Sequence, residues 1–440
     1  MTKFKIILIL ILANLLASLS KFLGKGSGTA LPGLIVEKYF IDILGPITKN
    51  FQEIILISGT NGKTTTRAIL VDIYEKNNYK VCTNRGGANI LRGVASSLLL
   101  DLNILGNSRS SVAILEVEEA SLPILVKYVQ ADSLVLTNVF RDQLDAYGEV
   151  DKTLSFFKES LKIISKQHNF LDFKLLVNSD DQKLLSCVEN YKGKLYGFGL
   201  DLKTDEKPKF EEFSKTELTF TKNFVATNIT NNSFELKTKN FKVQPNKKIL
   251  IETNLPGTFN IYNILAAFLI GYDNFGDTAI EAIKDFQPVF GRGEKINLGS
   301  NIVEILLIKN PAGFNQVLDY IKKENTNNAI NLVILINDNI ADGRDVSWLW
   351  DSDLENFINS QKINEIYTGG TRGLDMLLRL EYAGSELNSE NYFESLDRLL
   401  VNLIDSKKDY YILASYTAML SFRKVIGQRV KLKEISESGN

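Results

Sequence analysis

Histidine, cysteine and proline are scarce in this 440-residue chain, which holds one His, two Cys and eight Pro. Two cysteines, Cys82 and Cys187, can build neither a disulfide framework nor a thiolate metal cluster, and they suit a reduced, cytoplasmic setting. A lone His168 excludes a self-contained Ser-His-Asp or Cys-His site elsewhere in the chain. Set between Ile163-Ile164-Ser165-Lys166-Gln167 and Asn169, it reads as a surface residue at a helix end. Any chemistry of that type therefore needs a histidine from another subunit. An excess of either charge is also missing: 51 basic residues face 52 acidic ones, and without a basic field nucleic acid is not an expected partner. Long apolar runs are absent except near the start, where Ile6 to Ser20 follows Lys3 and Lys5 and is interrupted by Asn14. As a helix this run spans roughly 22 Å, short of a ~30 Å hydrocarbon core. It reads as an apolar helix that packs on the protein or rests against the inner membrane face, with a membrane anchor as the alternative.

What the chain does have is apolar content, 44% of its residues, enough for two or three cores. Its most informative stretch is Ile54-Ile55-Leu56-Ile57-Ser58-Gly59-Thr60-Asn61-Gly62-Lys63-Thr64-Thr65-Thr66. A β-branched run feeds a glycine turn, a lysine and three threonines, and a helix-capable stretch follows. That is the layout of a phosphate-binding loop. Glycines let backbone N–H groups curl around phosphate oxygens, Lys63 reaches the β- and γ-phosphates, and a following threonine hydroxyl can hold Mg²⁺. Only Thr60 and Asn61 separate the two glycines, so the loop is shorter than the usual form. The stretch predicts a nucleoside triphosphate site.

Apolar strands at Ile54–Ile57, Val81–Thr83, Val112–Val117 and Leu134–Thr137 alternate with helical patterns, the signature of a parallel α/β sheet. Leu175–Asn178 and Lys194–Phe198 add two strands. Residues 201–251 change character, and the period-two Ser233-Phe234-Glu235-Leu236-Lys237-Thr238 predicts an antiparallel hairpin insert. A helical pattern returns at Ile261–Asp273. A turn at Phe290-Gly291-Arg292-Gly293 marks a boundary, beyond which Ile302–Leu307, Leu332–Ile336, Glu365–Thr368 and Tyr410–Ala414 predict a second α/β unit. Leu115-Glu116-Val117-Glu118-Glu119 places carboxylates at a strand end, where a parallel sheet sets its ligand crevice.

The order of these motifs resembles the Mur ligase family, ATP-dependent enzymes that join amino groups to carboxylates, and within it the MurT-like branch. The resemblance rests on the Gly59–Thr66 loop, on Gly26–Gly33, on Asn84-Arg85-Gly86-Gly87-Ala88-Asn89 and on Phe140 to Glu149. Its most specific stretches are Lys309-Asn310-Pro311-Ala312-Gly313-Phe314-Asn315, Asn337 to Asp351 and Gly369 to Met376. It implies a leader over residues 1–45, a Mur ligase central P-loop ATPase domain over 46–296 with a β-rich insert at about 201–251, and a C-terminal α/β domain over 297–440.

The resemblance also implies roles. Gly59, Thr60, Asn61, Gly62, Lys63, Thr64 and Thr65 would hold ATP, with Thr64 and Glu116 on Mg²⁺, Asn263 at the nucleotide and Arg292 reaching ATP from the domain junction. Gln143 stands where many Mur ligases carry a histidine metal ligand. Lys158 has the spacing of a lysine carbamylated in some of them, although its neighbours suit a plain surface lysine. The implied reaction is amidation of the D-glutamate α-carboxylate of the lipid II stem peptide through an acyl phosphate, at the inner face of the membrane. Ammonia would come from a GatD-like glutaminase partner whose triad an aspartate of this chain completes: Asp351 first, then Asp345 and Asp342. The four-cysteine zinc ribbon usual in this branch would fall in the insert at about 201–251, which has no cysteine, so zinc is not expected. Folylpolyglutamate or cyanophycin synthetase-like ligases, a P-loop switch NTPase and a non-enzymatic scaffold are the rival readings.

Overall fold

The computed structural model describes residues 5–11, 31–84, 88–140, 150–201, 222–230, 232–238, 248–255, 257–287, 291–326 and 328–432, with Leu31 and Arg292 as backbone only. Its contacts divide the chain into two compact units. The first runs to Phe140 and takes in Val150–Thr253 and Asn260–Phe286; the second holds Asn254–Phe259 and the chain from Gln287 onward.

The first unit is built on a nine-stranded sheet in the order β2-β3-β1-β4-β5-β6-β7-β8-β9. The strands are β1 Glu53–Ser58, β2 Val81–Thr83, β3 Val112–Glu116, β4 Ser133–Leu136, β5 Lys174–Asn178, β6 Lys194–Leu200, β7 Lys222–Thr227, β8 Ser233–Thr238 and β9 Ile249–Glu252. Pairing is parallel from β2 across to β7 and antiparallel through β8 and β9. The predicted antiparallel insert is thus present as β7, β8 and β9. Its strands extend the edge of the main sheet, because β7 registers on β6 from Gly197↔Lys222 to Leu200↔Ala226.

Side chains alternate across each strand. Ile54 and Leu56 enter a core shared with Leu91, Val94, Leu98 and Leu99 of the helix Leu91–Leu100. On the helix Thr258–Phe275, Phe268 meets Phe224 of β7 with ring centroids 6.4 Å apart. The same helix meets the helix Lys63–Lys76 closely: a Cβ on Gly271 would come 2.9 Å from Ile73 Cδ1. The first described segment, residues 5–11, is helical and buries Ile6, Ile9 and Leu10 in the core with Leu91 and Leu99, while Leu8 and Ile11 face outward. Within 5–11, then, the apolar start packs on the protein. No helix among the described residues is long and apolar enough to cross a membrane.

The second unit carries a six-stranded sheet in the order β10-β11-β15-β12-β13-β14. These are β10 Arg292–Asn297, β11 Ile302–Leu307, β12 Ile330–Leu335, β13 Ile363–Gly369, β14 Tyr392–Phe393 and β15 Tyr410–Ala414. Only β10 is antiparallel to its neighbour. Leu332 and Ile334 face Phe314, Val317 and Met376 on one side, while Val333 and Leu335 face Leu399, Leu403 and Phe422 on the other. Helices thus cover both faces, as a parallel sheet of buried strands requires.

Candidate active site

Within the first unit, β1 runs into the glycine loop, and geometry fixes both glycines. Gly59 has φ +127° and Gly62 has φ +86°. A Cβ would come 2.2 Å from Thr137 Oγ1 at the first and 2.1 Å from Asn263 Oδ1 at the second. The segment after β4 clasps the loop. The Asn61 N–H donates to Asn138 Oδ1 at 2.8 Å, Thr137 Oγ1 donates to the Asn61 carbonyl at 2.7 Å, and the Phe140 N–H donates to Thr60 Oγ1 at 3.0 Å. Gly62 then caps the helix Lys63–Lys76 and, having no side chain, supplies no side-chain hydrogen bond to its first turn.

Lys63 is buried and folded back over the loop. Its Nζ donates to Glu119 Oε1 at 3.0 Å, to the Thr60 carbonyl at 3.2 Å and to the Gly59 carbonyl. Thr64 is half-buried, Thr65 is buried, and Thr66 Oγ1 stands 3.5 Å from Asn263 Oδ1. Glu116 ends β3 directly opposite Ile57 of β1. Asn84 holds its backbone on both sides, accepting the Glu116 N–H at 2.9 Å and donating to the Glu116 carbonyl at 2.8 Å. Asn89 Nδ2 donates to Glu116 Oε1 at 3.3 Å; Oε2 is buried, accepts no hydrogen bond from the described residues, and has Arg67 Nε 3.7 Å away. Arg67 is itself buried, and burial pulls its pKa down against the counter-pull of Glu116. A buried carboxylate oxygen without a donor, beside a glycine-cradled helix N-terminus and a half-exposed threonine, fits a magnesium-bound triphosphate.

The remaining residues read from sequence fall as follows. Asn263 abuts the loop and donates to Asn260 Oδ1 at 3.0 Å. Arg292 opens β10, with only its backbone described. Gln143 lies outside the described residues. Lys158 is exposed on the helix Val150–Ile164, flanking its buried Leu154 and Leu161.

In the second unit, the specific motifs converge at the carboxyl ends of β12, β13 and β15. Asn337 Nδ2 and Asn339 Nδ2 donate to Thr417 Oγ1 at 2.9 and 2.7 Å, and the Thr371 N–H donates to Asn337 Oδ1 at 2.9 Å. Asp338 is bound by Thr371 Oγ1 at 2.8 Å and by Arg372 Nε at 2.9 Å, which holds its carboxyl below the ordinary range. Gly370, at φ +90°, has no room for a Cβ, which would lie 2.4 Å from the Ile336 carbonyl.

The three aspartates read as candidates for the partner's triad differ in setting. Asp342 is buried and accepts from the N–H of Thr417 at 2.7 Å and from its hydroxyl, so it secures the start of the helix Tyr416–Gly427. Asp345 is half-buried and accepts the Ser347 N–H at 2.7 Å. Asp351 is exposed at the end of the short 3₁₀ turn Ser347–Asp351. On that turn Trp348 meets Phe314 edge-on at 6.1 Å, Leu349 enters the core, and Trp350 meets Tyr382 at 5.3 Å.

Comparison with known proteins agrees with this division. The Mur ligase middle domain matches residues 57–271, and the MurT ligase C-terminal domain matches residues 307–419. The subunit MurT of the glutamine-hydrolyzing lipid II isoglutaminyl synthase of Streptococcus pneumoniae R6 is 30% identical over 439 residues, covering 92% of this chain and 93% of that protein. The chain belongs to the MurT branch of the Mur ligase family. The Staphylococcus aureus COL subunit of the same name is also 30% identical, across 86% of this chain and 87% of its own length. Among solved structures, the MurF ligase of Thermotoga maritima in complex with ADP superposes with a TM-score of 0.63 at 16% identity, covering 88% of this chain and 83% of that one. E. coli FolC, in complex with DHPP and ADP, gives 0.60 at 15%, covering 88% and 92%. At that identity these two speak for the fold alone. As a MurT-family protein the chain is an ATP-dependent ligase.

Three residues of these sites were not singled out from the sequence. Arg67 looked like an ordinary helix residue, and only the register of β3 on β1 brings Glu116 to it. Asp181 is buried, accepts the Val139 N–H at 2.7 Å and the Lys183 N–H at 3.0 Å, and caps the helix Gln182–Val188; burial pushes its pKa up to about 6. A short Asp-initiated helix was a readable capping signal there. Arg379, buried in the helix Gly373–Tyr382, gave no signal.

Proposed function

We propose that this chain is the synthetase subunit that amidates the α-carboxylate of D-glutamate in the lipid II stem peptide, giving D-isoglutamine, with ammonia from a GatD-like glutaminase. The observation that carries the reading is the likeness to MurT subunits along 92% of the chain; the glycine loop with Lys63 and Glu116 supports its ATP-dependent half. In the first step a carboxylate oxygen attacks the γ-phosphorus of ATP, ADP leaves, and an acyl phosphate forms. In the second, ammonia attacks the acyl carbon, inorganic phosphate leaves, and a proton is lost to give the amide.

Lys63 would exchange Glu119 and the loop carbonyls for phosphate oxygens, and the first-turn N–H groups of its helix would bind the same charge. Magnesium, held by Thr64 and Glu116, would neutralise the phosphates. Arg67 balances Glu116, and Asn84 with Asn89 fixes its position. Asp351 is the aspartate offered to the partner's Cys-His pair, because it is exposed while Asp342 is buried. A lipid-anchored substrate places the work at the cytoplasmic face of the membrane. The test is reconstitution of the chain with its glutaminase, lipid II, MgATP and glutamine, followed by mass spectrometry of the stem peptide. Conversion of the α-carboxylate to amide is expected; ATP hydrolysis without amide would sink the reading.

A further inference from the structure

Among the described residues Arg379 is the largest side chain that is fully buried, and most of its bonds go to one short turn and the helix after it. Its Nε donates to the Leu349 carbonyl at 3.0 Å and one Nη donates to the Ser352 carbonyl at 3.0 Å. Those two carbonyls bracket Trp350 and Asp351. The two Nη groups also grip Glu355 at 2.7 and 2.8 Å, and the guanidinium carbon sits 5.3 Å from the centre of the Trp350 ring. From the other side Asn315 Oδ1 accepts the Asp353 N–H at 2.8 Å, and the Ser352 hydroxyl closes back on the Leu349 carbonyl at 2.5 Å. A segment whose backbone is fixed at both ends in this way has little freedom left at the two residues between.

A guanidinium is expensive to bury, and as glue it is often no better than an apolar side chain of the same size. What its rigid planar fork supplies is direction, since several donors are fixed at once. Here the direction goes to an exposed tryptophan and an exposed aspartate, residues that gain nothing for the core by being held still. We propose that Arg379 is a positioning residue: it locks the Leu349–Ser352 turn so that Asp351 is presented in one orientation to the partner's catalytic pair. The proposal rests on the reading that Asp351 completes that partner's triad. A triad carboxylate acts through the orientation it imposes on histidine, and a misplacement of about 1 Å can cost about 10²-fold.

The test uses the full chain in complex with its glutaminase and reads the ratio of glutamine-supported to ammonium-supported amidation. Arg379→Lys keeps the charge and loses the fork; the ratio is expected to fall by about 10²-fold. Asn315→Ala, which loosens the far end of the turn and leaves the guanidinium in place, is expected to lower the same ratio by about tenfold. An unchanged ratio in both variants overturns the proposal, as does a drop of both rates in step in Asn315→Ala. Should Arg379→Lys lose its melting transition, Asn315→Ala alone decides. Asp351→Asn separates the two levels. If it leaves the ratio unchanged, the triad reading falls and takes the proposal with it. If it lowers the ratio while Arg379→Lys and Asn315→Ala do not, only the positioning role falls.

Discussion

Lys63 lies against Glu119 and the loop carbonyls, so on the proposed reading nucleotide entry trades a carboxylate for phosphates at the same ammonium. Lys63→Ala is expected to cut amidation by about 10²-fold or more, the scale of losing one preorganised charge at a transition state. The complex with the glutaminase should survive, as read by co-purification. Amidation at the normal rate would remove the ATP site from this loop. Asp181 makes a pH prediction. Its folded pKa of about 6 lies above the ordinary aspartate value, so the native state binds the proton more tightly than the unfolded chain does. The stability this group contributes is full below the unfolded pKa and is lost as pH rises through about 6. In urea melts, the stability of the protein relative to Asp181→Asn should therefore be greater near about pH 5 than near about pH 7. A difference that grows with pH would contradict the assignment.

At the scale of elements, helix ends carry much of the second unit's precision. Asp342 binds the first turn of the helix Tyr416–Gly427 through two groups of Thr417. Asp342→Ala should cost roughly 0.5–2 kcal/mol, the range for losing a helix cap, and should lower the melting temperature without changing the response to glutamine. Strands read well from sequence wherever they are buried on both faces. The run Ile302–Leu307 is β11, and Tyr410–Ala414 is β15, residue for residue. β10 was not read, because Arg292-Gly293-Glu294-Lys295-Ile296-Asn297 has too little apolar alternation; its Glu294 is held by Arg423, far along the chain. The antiparallel hairpin read in residues 201–251 is present as β7 and β8, but its attachment to β6 was not legible. Period two reports an exposed face and not which neighbour a strand pairs with. Of the candidate site, the loop glycines and Lys63 were legible because phosphate chemistry constrains their order. Arg67 and Arg379 were not, since a buried arginine among Leu377, Leu378 and Leu380 looks like any charged residue on an amphipathic helix.

At the scale of the whole molecule, the cysteine count makes a chemical prediction. Cys82 is buried, with its thiol pushed far up by burial, and Cys187 is pushed up to about 11, mainly by burial. Elemental analysis of the purified protein is expected to find no stoichiometric zinc; one zinc per chain would show that the ribbon has been replaced and not lost.

The nucleotide loop also has a history during synthesis. Only a glycine at position 62 leaves room for Asn263, and Thr66 meets the same side chain across 197 residues of sequence. At roughly 5–20 residues per second a ribosome takes roughly 10–40 s to make that stretch. Through that interval β1 and the helix behind it can fold, yet the loop stands without the helix that closes its far side. The nascent chain should therefore acquire its grip on ATP late and abruptly. Arrested chains ending before Asn263 has left the exit tunnel would not be retained on immobilised nucleotide, and those in which Phe286 has also left it would be.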